Sequence, residues 1–220
     1  MSGSSNDGEY ASPARSMHEL TPDFRIASPA GDRWDWSDVA PWRKAERQRL
    51  IEARLAMGID ERKQKSERIA THAEHVIGDL GSRIISFYWP FRGEPDLRDW
   101  MTRILDRGGR VALPVVIEKG QPLQFRLWST GEPLERGVWN ILVPAHGAVV
   151  HPDIVIAPVV GYDAGKYRLG YGGGFFDRTL AAAPNRPLVI GVGYSIAEIA
   201  TIHPQPHDIP MDVIVTDAGA

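Results

Sequence analysis

The sequence predicts an α/β protein, a three-layer sandwich with a largely parallel central sheet and helices on both faces. Two observations carry that reading. First, the apolar runs RIISFYW (83–89), RVALPVV (110–116), DIVIAPVV (153–160), PLVIGVGY (187–194) and MDVIVT (211–216) are continuous rather than alternating. Strands covered on both faces read this way, and they belong to parallel sheets. Second, stretches of helical period lie between the runs, which is the strand–helix–strand order of such sheets.

Taken in order, residues 1–36 are rich in Ser, Gly, Pro and Asp and lack periodicity. A mobile tail is expected there, ahead of one domain over 37–220. Trp34 and Trp36 either dock on that domain or open a helix cap with Ser37. A helix is expected over 41–57, with Pro41 in its first turn and Gly58 at its end. Trp42, Ala45, Leu50, Ala53 and Met57 form its apolar stripe; Arg43, Arg47 and Arg54 share another face. A second helix, 60–80, turns Ile69, Ala73, Val76 and Leu80 inward. A third, 95–107, turns Leu97, Trp100, Met101, Ile104 and Leu105 inward and stops at Gly108 and Gly109. Residues 122–128 read as a shorter strand.

Bulk properties exclude several classes. The 220 residues suffice for one domain with a core. A net charge of −3 gives no field that would gather nucleic acid or acidic membrane. The absence of cysteine removes disulfides, thiolate nucleophiles and cysteine zinc sites. No apolar run approaches the roughly 20 residues that span a bilayer. The opening MSGSSNDGEYASPARS has no apolar signal core. The expectation is a cytoplasmic monomer without nucleic-acid or membrane partners.

Ligands in such sheets sit beyond the C-terminal strand ends, so the loops after 89, 116, 160 and 194 matter most. One of them is GYDAGKYRLGYGGGFFDRTL (161–180), with glycine at 170, 172, 173 and 174. Glycine lets backbone N–H groups approach phosphate oxygens, and a helix starting near Phe175 adds a dipole favourable to anions. Arg168 and Arg178 flank the loop, and Asp177 offers a hard oxygen for Mg²⁺. The plainer reading is a flexible turn between a strand and a helix. The Gly-Lys-Ser/Thr ending of a P-loop is missing, and no strand runs directly into the loop as a dinucleotide fingerprint requires.

The segment 153–180 resembles the 5-formyltetrahydrofolate cyclo-ligase family, and weaker similarity extends over about 41–217. The resemblance implies an ATP-dependent enzyme that turns 5-formyltetrahydrofolate into 5,10-methenyltetrahydrofolate, with ADP and phosphate released. Transfer of the γ-phosphoryl group to the formyl oxygen would make an iminium phosphate, which the neighbouring folate nitrogen attacks as phosphate leaves. No enzyme nucleophile is needed. The family's opening basic helix matches Arg43, Lys44 and Arg47, which otherwise read as a solvated helix face. By the same resemblance, Arg168, Leu169, Gly170, Tyr171, Gly172, Gly173, Gly174, Phe175 and Phe176 hold ATP. Trp89 and Glu94, with Tyr171 through Phe175, meet the reduced folate. Asp177 and Asp208 position Mg²⁺, the second of them in HPQPHDIPMDVIVT (203–216).

Departures from the family pattern fall at Pro95, Leu97 and Val143. Asp96 reads as an acidic residue at a helix start. A transition-metal site at His203, His207 and Asp208 is a competing local reading that needs a helix, against which Pro204 and Pro206 argue. Two other functions stay open at this point. One is a non-catalytic folate- or nucleotide-binding relative. The other is a sugar-phosphate isomerase or CoA-transferase-like enzyme on the same architecture.

Overall fold

The computed structural model describes residues 35–220. The expected tail thus lies almost wholly outside the described residues, as does Trp34. The sheet has seven strands, and five of them form its parallel part. These are β1 (Ile84–Ser86), β2 (Arg110–Val115), β7 (Ile154–Pro158), β10 (Leu188–Val192) and β11 (Val213–Val215). Two antiparallel strands, β3 (Gln124–Trp128) and β6 (Val149–Val150), extend one edge. Strand order is β11-β10-β7-β1-β2-β3-β6.

The apolar runs split by alternation between two faces. Ile85, Val111, Leu113, Ile154, Ile156, Ile190 and Val192 pack against α2 (Ile59–Ile77) and α3 (Arg98–Asp106). Ile84, Ala112, Val155, Ala157 and Val189 pack on the opposite face with Leu180 of α4 (Phe175–Ala182). This is the three-layer sandwich. The inward residues of α2 and α3 are those the sequence indicates, with Val76, Leu80 and Leu105 half-buried at the margin. The run 83–89 is a strand only over its first half. Phe87 continues the pairing by one bond, donating to the Ala112 carbonyl at 2.9 Å, and the chain then turns away over the sheet edge.

Three short antiparallel pieces escaped the sequence. β4 (Leu134–Arg136) pairs with β5 (Leu142–Pro144), and β8 (Gly161–Tyr162) pairs with β9 (Arg168–Leu169). The edge strand β6 is the third. Elements of two or three residues carry too little alternation to register as a pattern. β9 also means that a strand does enter the glycine loop, as a two-residue hairpin arm rather than a sheet strand.

Helix α1 (Trp36–Ala56) differs most from expectation. It starts at Trp36, one turn before Pro41, with Asp35 at the cap position and Ser37 inside the helix. Pro41 removes the bond its N–H would have made to Ser37, but both residues are exposed, so water can reach that carbonyl. The expected apolar stripe is buried only in part: Leu50 is buried, and Trp42, Ala53 and Met57 are half-buried. Ala45 is exposed, whereas Val39, Arg43, Leu50, Ile51 and Arg54 are buried. The helix lies across the C-terminal edge of the sheet, where Leu50 and Ile51 meet Val160, Leu169 and Ile202. Leu50 is 2% exposed, and it is the apolar peg of that seat. Leu50→Ala should therefore cost about 2–5 kcal/mol in urea unfolding, with the denaturant slope unchanged. A loss under about 0.5 kcal/mol, the range of ordinary surface substitutions, would show that α1 is not seated there.

Candidate active site

Strand order reverses between β1 and β7. From β1 the chain steps to β2 on one side, and from β7 to β10 and β11 on the other. The loops leaving these neighbours diverge and open a crevice at the C-terminal edge. One wall is the exit of β1 (residues 87–97). The other is the exit of β7, which runs through β8 and β9 into the glycine loop. α1 and the loop 202–208 close the top.

Most residues singled out from the sequence line this one cleft. Arg43, Arg47, Trp89, Glu94, Arg168, Leu169, the run Gly170 to Phe176, Asp177 and Asp208 all border it. Lys44 does not; it is exposed on α1 and outside the lining.

The glycine loop needs its glycines for conformation at two points. Gly172 has φ +90° and Gly174, the residue before α4, has φ +60°. Gly173 has no positive φ, so any intolerance there is one of space: an added Cβ would lie 2.8 Å from the Phe175 ring. The N–H groups at the start of α4 face the cleft with the positive end of the helix dipole.

Three arginines of α1 grip three different loops. Arg43 donates through Nε to the Ile202 carbonyl at 2.9 Å and through Nη2 to the His203 carbonyl at 2.9 Å. Its Nη2 also meets Asp208 Oδ2 at 2.5 Å, and Nη1 reaches Oδ1 at 3.2 Å. Arg47 donates through Nε to the Gly170 carbonyl at 2.5 Å, and its Nη groups lie beside Gly172. Burial and the charge of Arg43 lower its pKa to about 10, which still leaves it charged at neutral pH. Arg54 donates to the Arg92 carbonyl at 2.8 Å and to the Tyr171 hydroxyl. Arg43 is thus almost fully engaged by the protein, and Arg47 has the freer donors. Sequence reasoning did not place Arg54 in the site, although its helical spacing from Arg47 was the signal that could have found it.

The two aspartates also have protein partners. Arg168 meets Asp177 Oδ2 at 2.9 Å, and Asp177 Oδ1 accepts from the Ile209 amide at 3.2 Å. Asp208 Oδ2 accepts from the Gln205 amide at 2.7 Å. Asp177 therefore pins the residue next to Asp208, so the two carboxylates share one corner of the cleft. Two neighbouring carboxylates suit Mg²⁺, which commonly takes one or two carboxylates and completes its shell with water and phosphate oxygens. Among the described residues no group of three or more His, Cys, Asp or Glu could hold a metal ion. The histidine-pair reading fails for that reason and for another. Residues 203–207 are not helical, and the rings part, His203 against Trp42 at 4.7 Å and His207 against Trp36 at 5.9 Å.

On the β1 side, Trp89 is half-buried at the cleft with the Arg98 guanidinium 5.4 Å from its ring centre. Glu94 is 5% exposed, and its Oε2 accepts from the Phe91 amide at 2.9 Å. Burial pushes its carboxyl up from 4.5 to about 7, against the pull of Arg54 and the hydrogen bonds it accepts. The departures at Pro95 and Leu97 are accommodated by packing. The Pro95 carbonyl accepts from the Tyr88 hydroxyl at 2.7 Å, and Leu97 is a buried core residue at the start of α3. Asp96 accepts from the Arg98 amide at 3.1 Å, the helix-start role expected of it. Residues not foreseen as lining include Phe91, Val116, Leu123, Leu142 and Trp139. Trp139 has φ +55° and sets its ring edge-on to Phe175 at 6.0 Å.

Fold and cleft together define an α/β enzyme with a glycine loop flanked by arginines on one wall and aromatic, apolar surface on the other. The sequence model of the 5-formyltetrahydrofolate cyclo-ligase family matches residues 39–217, and the chain belongs to that family. It is 26% identical over 160 residues to a Haemophilus influenzae 5-formyltetrahydrofolate cyclo-ligase, covering 69% of this chain and 86% of that one. A Mycolicibacterium smegmatis protein of the same name is 30% identical over 152 residues, covering 62% and 75%. Among solved structures, 5,10-methenyltetrahydrofolate synthetase of Aquifex aeolicus superposes with TM-score 0.70 at 27% identity, over 80% of this chain and 89% of that one. The Mycoplasma pneumoniae synthetase shares the fold, with TM-score 0.66 at 21% identity and coverage of 80% and 98%. Among the described residues no helix is long and apolar enough to cross a membrane.

The raised Glu94 carboxyl has a measurable consequence. Between pH 4.5 and about 7 the folded chain keeps a proton that the unfolded chain has released, so stability falls as pH rises through that window. The loss amounts to at most about 3 kcal/mol. Glu94→Gln does not titrate, so its stability relative to wild type should improve from pH 5 to pH 8 in urea melts. A difference that stays constant over that range would refute the assignment.

Proposed function

We propose that the chain converts 5-formyltetrahydrofolate and MgATP into 5,10-methenyltetrahydrofolate, ADP and phosphate. One observation carries this reading: a single cleft at the strand switch point joins a cationic glycine loop to a wall of aromatic and apolar side chains around a buried carboxylate. The first half suits a triphosphate, the second a flat pterin with polar ring nitrogens. The relatives, a 5-formyltetrahydrofolate cyclo-ligase and a 5,10-methenyltetrahydrofolate synthetase, carry the names of this substrate and this product.

The chemistry asks for positioning and neutralisation of charge rather than a nucleophile. Arg47, Arg168 and the amides at the start of α4 hold the phosphates. Asp177 and Asp208 would hold Mg²⁺, which supplies further neutralisation of phosphate charge. Trp89, Tyr171 and Phe175 line the pterin space, and Glu94 accepts hydrogen bonds from its ring N–H groups. With the formyl oxygen aimed at the γ-phosphorus, phosphoryl transfer breaks the bond to ADP and forms the iminium phosphate. The neighbouring folate nitrogen then closes the ring on the formyl carbon, and phosphate departs with the formyl oxygen. Arg43 contributes chiefly by holding Asp208 and the loop that carries it.

Incubation with MgATP and 5-formyltetrahydrofolate should give methenyl absorbance in step with ADP. Nucleotide consumption without methenyl product would sink the reading. Arg47→Ala should weaken ATP binding by roughly 1.5–3 kcal/mol, with a smaller loss of stability than Arg43→Ala because it strands one carbonyl rather than two carbonyls and a carboxylate. Arg43→Ala should lower stability as well, because it strands a carboxylate and two carbonyls. Asp177→Asn and Asp208→Asn should each require more Mg²⁺ for half-maximal turnover. A wild-type Mg²⁺ dependence in both would remove the shared metal corner.

A further inference from the structure

Arg54 is one of the few charged side chains the fold buries, at 3% exposure, yet it does not line the cleft. It stands behind it, at the point where α1 passes both walls. Nε donates to the Arg92 carbonyl at 2.8 Å, and Nη2 donates to the Phe91 carbonyl at 3.4 Å and to the Tyr171 hydroxyl. Its guanidinium carbon lies 5.7 Å from the centre of the Tyr171 ring. Nη1 is buried and has no hydrogen-bond partner among the described residues.

The turn it holds is an improbable one. Arg92 has φ +47° and Gly93 φ +74°, so a left-handed conformation is imposed on a side chain that disfavours it. The turn closes on itself twice, by Glu94 N–H to the Phe91 carbonyl at 3.1 Å and by Phe91 N–H to Glu94 Oε2 at 2.9 Å. α1 presses on it so closely that a Cβ at Gly93 would sit 3.0 Å from Leu55 and 3.7 Å from Arg54. Arg54 thus fixes the turn that aims Glu94 and, with the same guanidinium, the tyrosine of the glycine loop.

Building on the proposed reaction, we infer that Arg54 is a positioning residue that couples the two walls of the cleft by holding the turn that aims Glu94 at the folate together with the tyrosine of the glycine loop. A buried cation is tolerated only where acceptors and an opposite charge surround it. Here two carbonyls and a hydroxyl accept its hydrogen bonds, and the charge of Glu94 lies close enough to interact with it. The groups facing Glu94 are Arg54 from α1, Tyr171 from the glycine loop and Tyr88 from the exit of β1. Arg54 is the one cation among them, so its charge is what opposes protonation of a carboxyl already pushed up by burial.

The test uses the full-length chain with Arg54→Met and Arg54→Lys. Lysine keeps the charge but lacks the planar fork that reaches both carbonyls and the hydroxyl. In Arg54→Met the KM for 5-formyltetrahydrofolate should rise at least tenfold, and the acid limb of kcat/KM should move up by about one pH unit. In Arg54→Lys the acid limb should stay near the wild-type position while KM still rises. A role confined to stability would lower the melting temperature and leave KM and the acid limb of the folded enzyme unchanged, and that result overturns the inference. If Arg54→Met fails to fold, Arg54→Lys decides alone: an unchanged KM overturns the coupling. The Glu94 carboxyl can also be titrated by ¹³C NMR in wild type and variants without substrate. Wild type that produces no methenyl compound would refute the reaction. A Glu94 titration that moves up with loss of the Arg54 charge would support the inference, and a KM unchanged in both variants would refute it.

Discussion

The cleft depends on a row of guanidinium groups along one face of α1. Arg43, Arg47 and Arg54 follow helical spacing, and each ends on backbone carbonyls of a different loop: 202–203, 170, and 91–92. Those loops leave different strands and have no reason of their own to converge. A helix with apolar residues at these positions could pack on Val160, Leu169 and Ile202 through Leu50 and Ile51, but it would leave the loop carbonyls unsatisfied. Arginine answers that need because its fork spans two acceptors at once.

The charges in the cleft are balanced before any ligand arrives. Asp208 lies on Arg43 and Asp177 on Arg168, with side chains 6–16% exposed. Pairs buried to this degree add little net stability, but removal of one partner leaves an unpaired charge that is costly. The carboxylates proposed for Mg²⁺ are therefore also structural, each holding a backbone amide as well as an arginine. A triphosphate with its cation would offer both arginines and both aspartates new partners of opposite sign. Exchange within such a set conserves charge, so the site can take up a highly charged ligand without creating an uncompensated group.

The legible parts of the sequence were those with repeated signal. Five long apolar runs marked the parallel strands, and the glycine loop with its flanking residues marked one wall of the cleft. The face of α1 was misjudged for a physical reason. Hydrophobic periodicity assumes that the partner surface is apolar, whereas α1 lies on strand ends, where the partner is a set of carbonyl oxygens. There the buried stripe is cationic, and Ala45 is left outside. Of the aromatic and apolar wall on the β1 side, the sequence singled out only Trp89 and Glu94. Trp139 and Leu142 arrive from the separate β4–β5 hairpin, whose three-residue strands leave no periodic trace, and Leu123 from the residue just before β3.

The arginine row also sets an order of events in time. Its contacts bridge 38 residues to Arg92, 123 to Gly170 and 165 to Asp208. Contacts so distant along the chain are slow to form, because long segments must be brought together before the contact rewards it. During synthesis α1 leaves the ribosome before any of its three partners exists. The turn at 91–92 becomes available first, the glycine loop next, and the loop at 202–208 only when nearly the whole chain is made. A chain that stops before residue 202 lacks Ile202, His203 and Asp208, and so lacks every hydrogen-bond partner that Arg43 has in the folded protein. Completion of the cleft thus reports that translation has passed the last of these loops, and a ligand that bridges them would bind the finished chain in preference to its precursors.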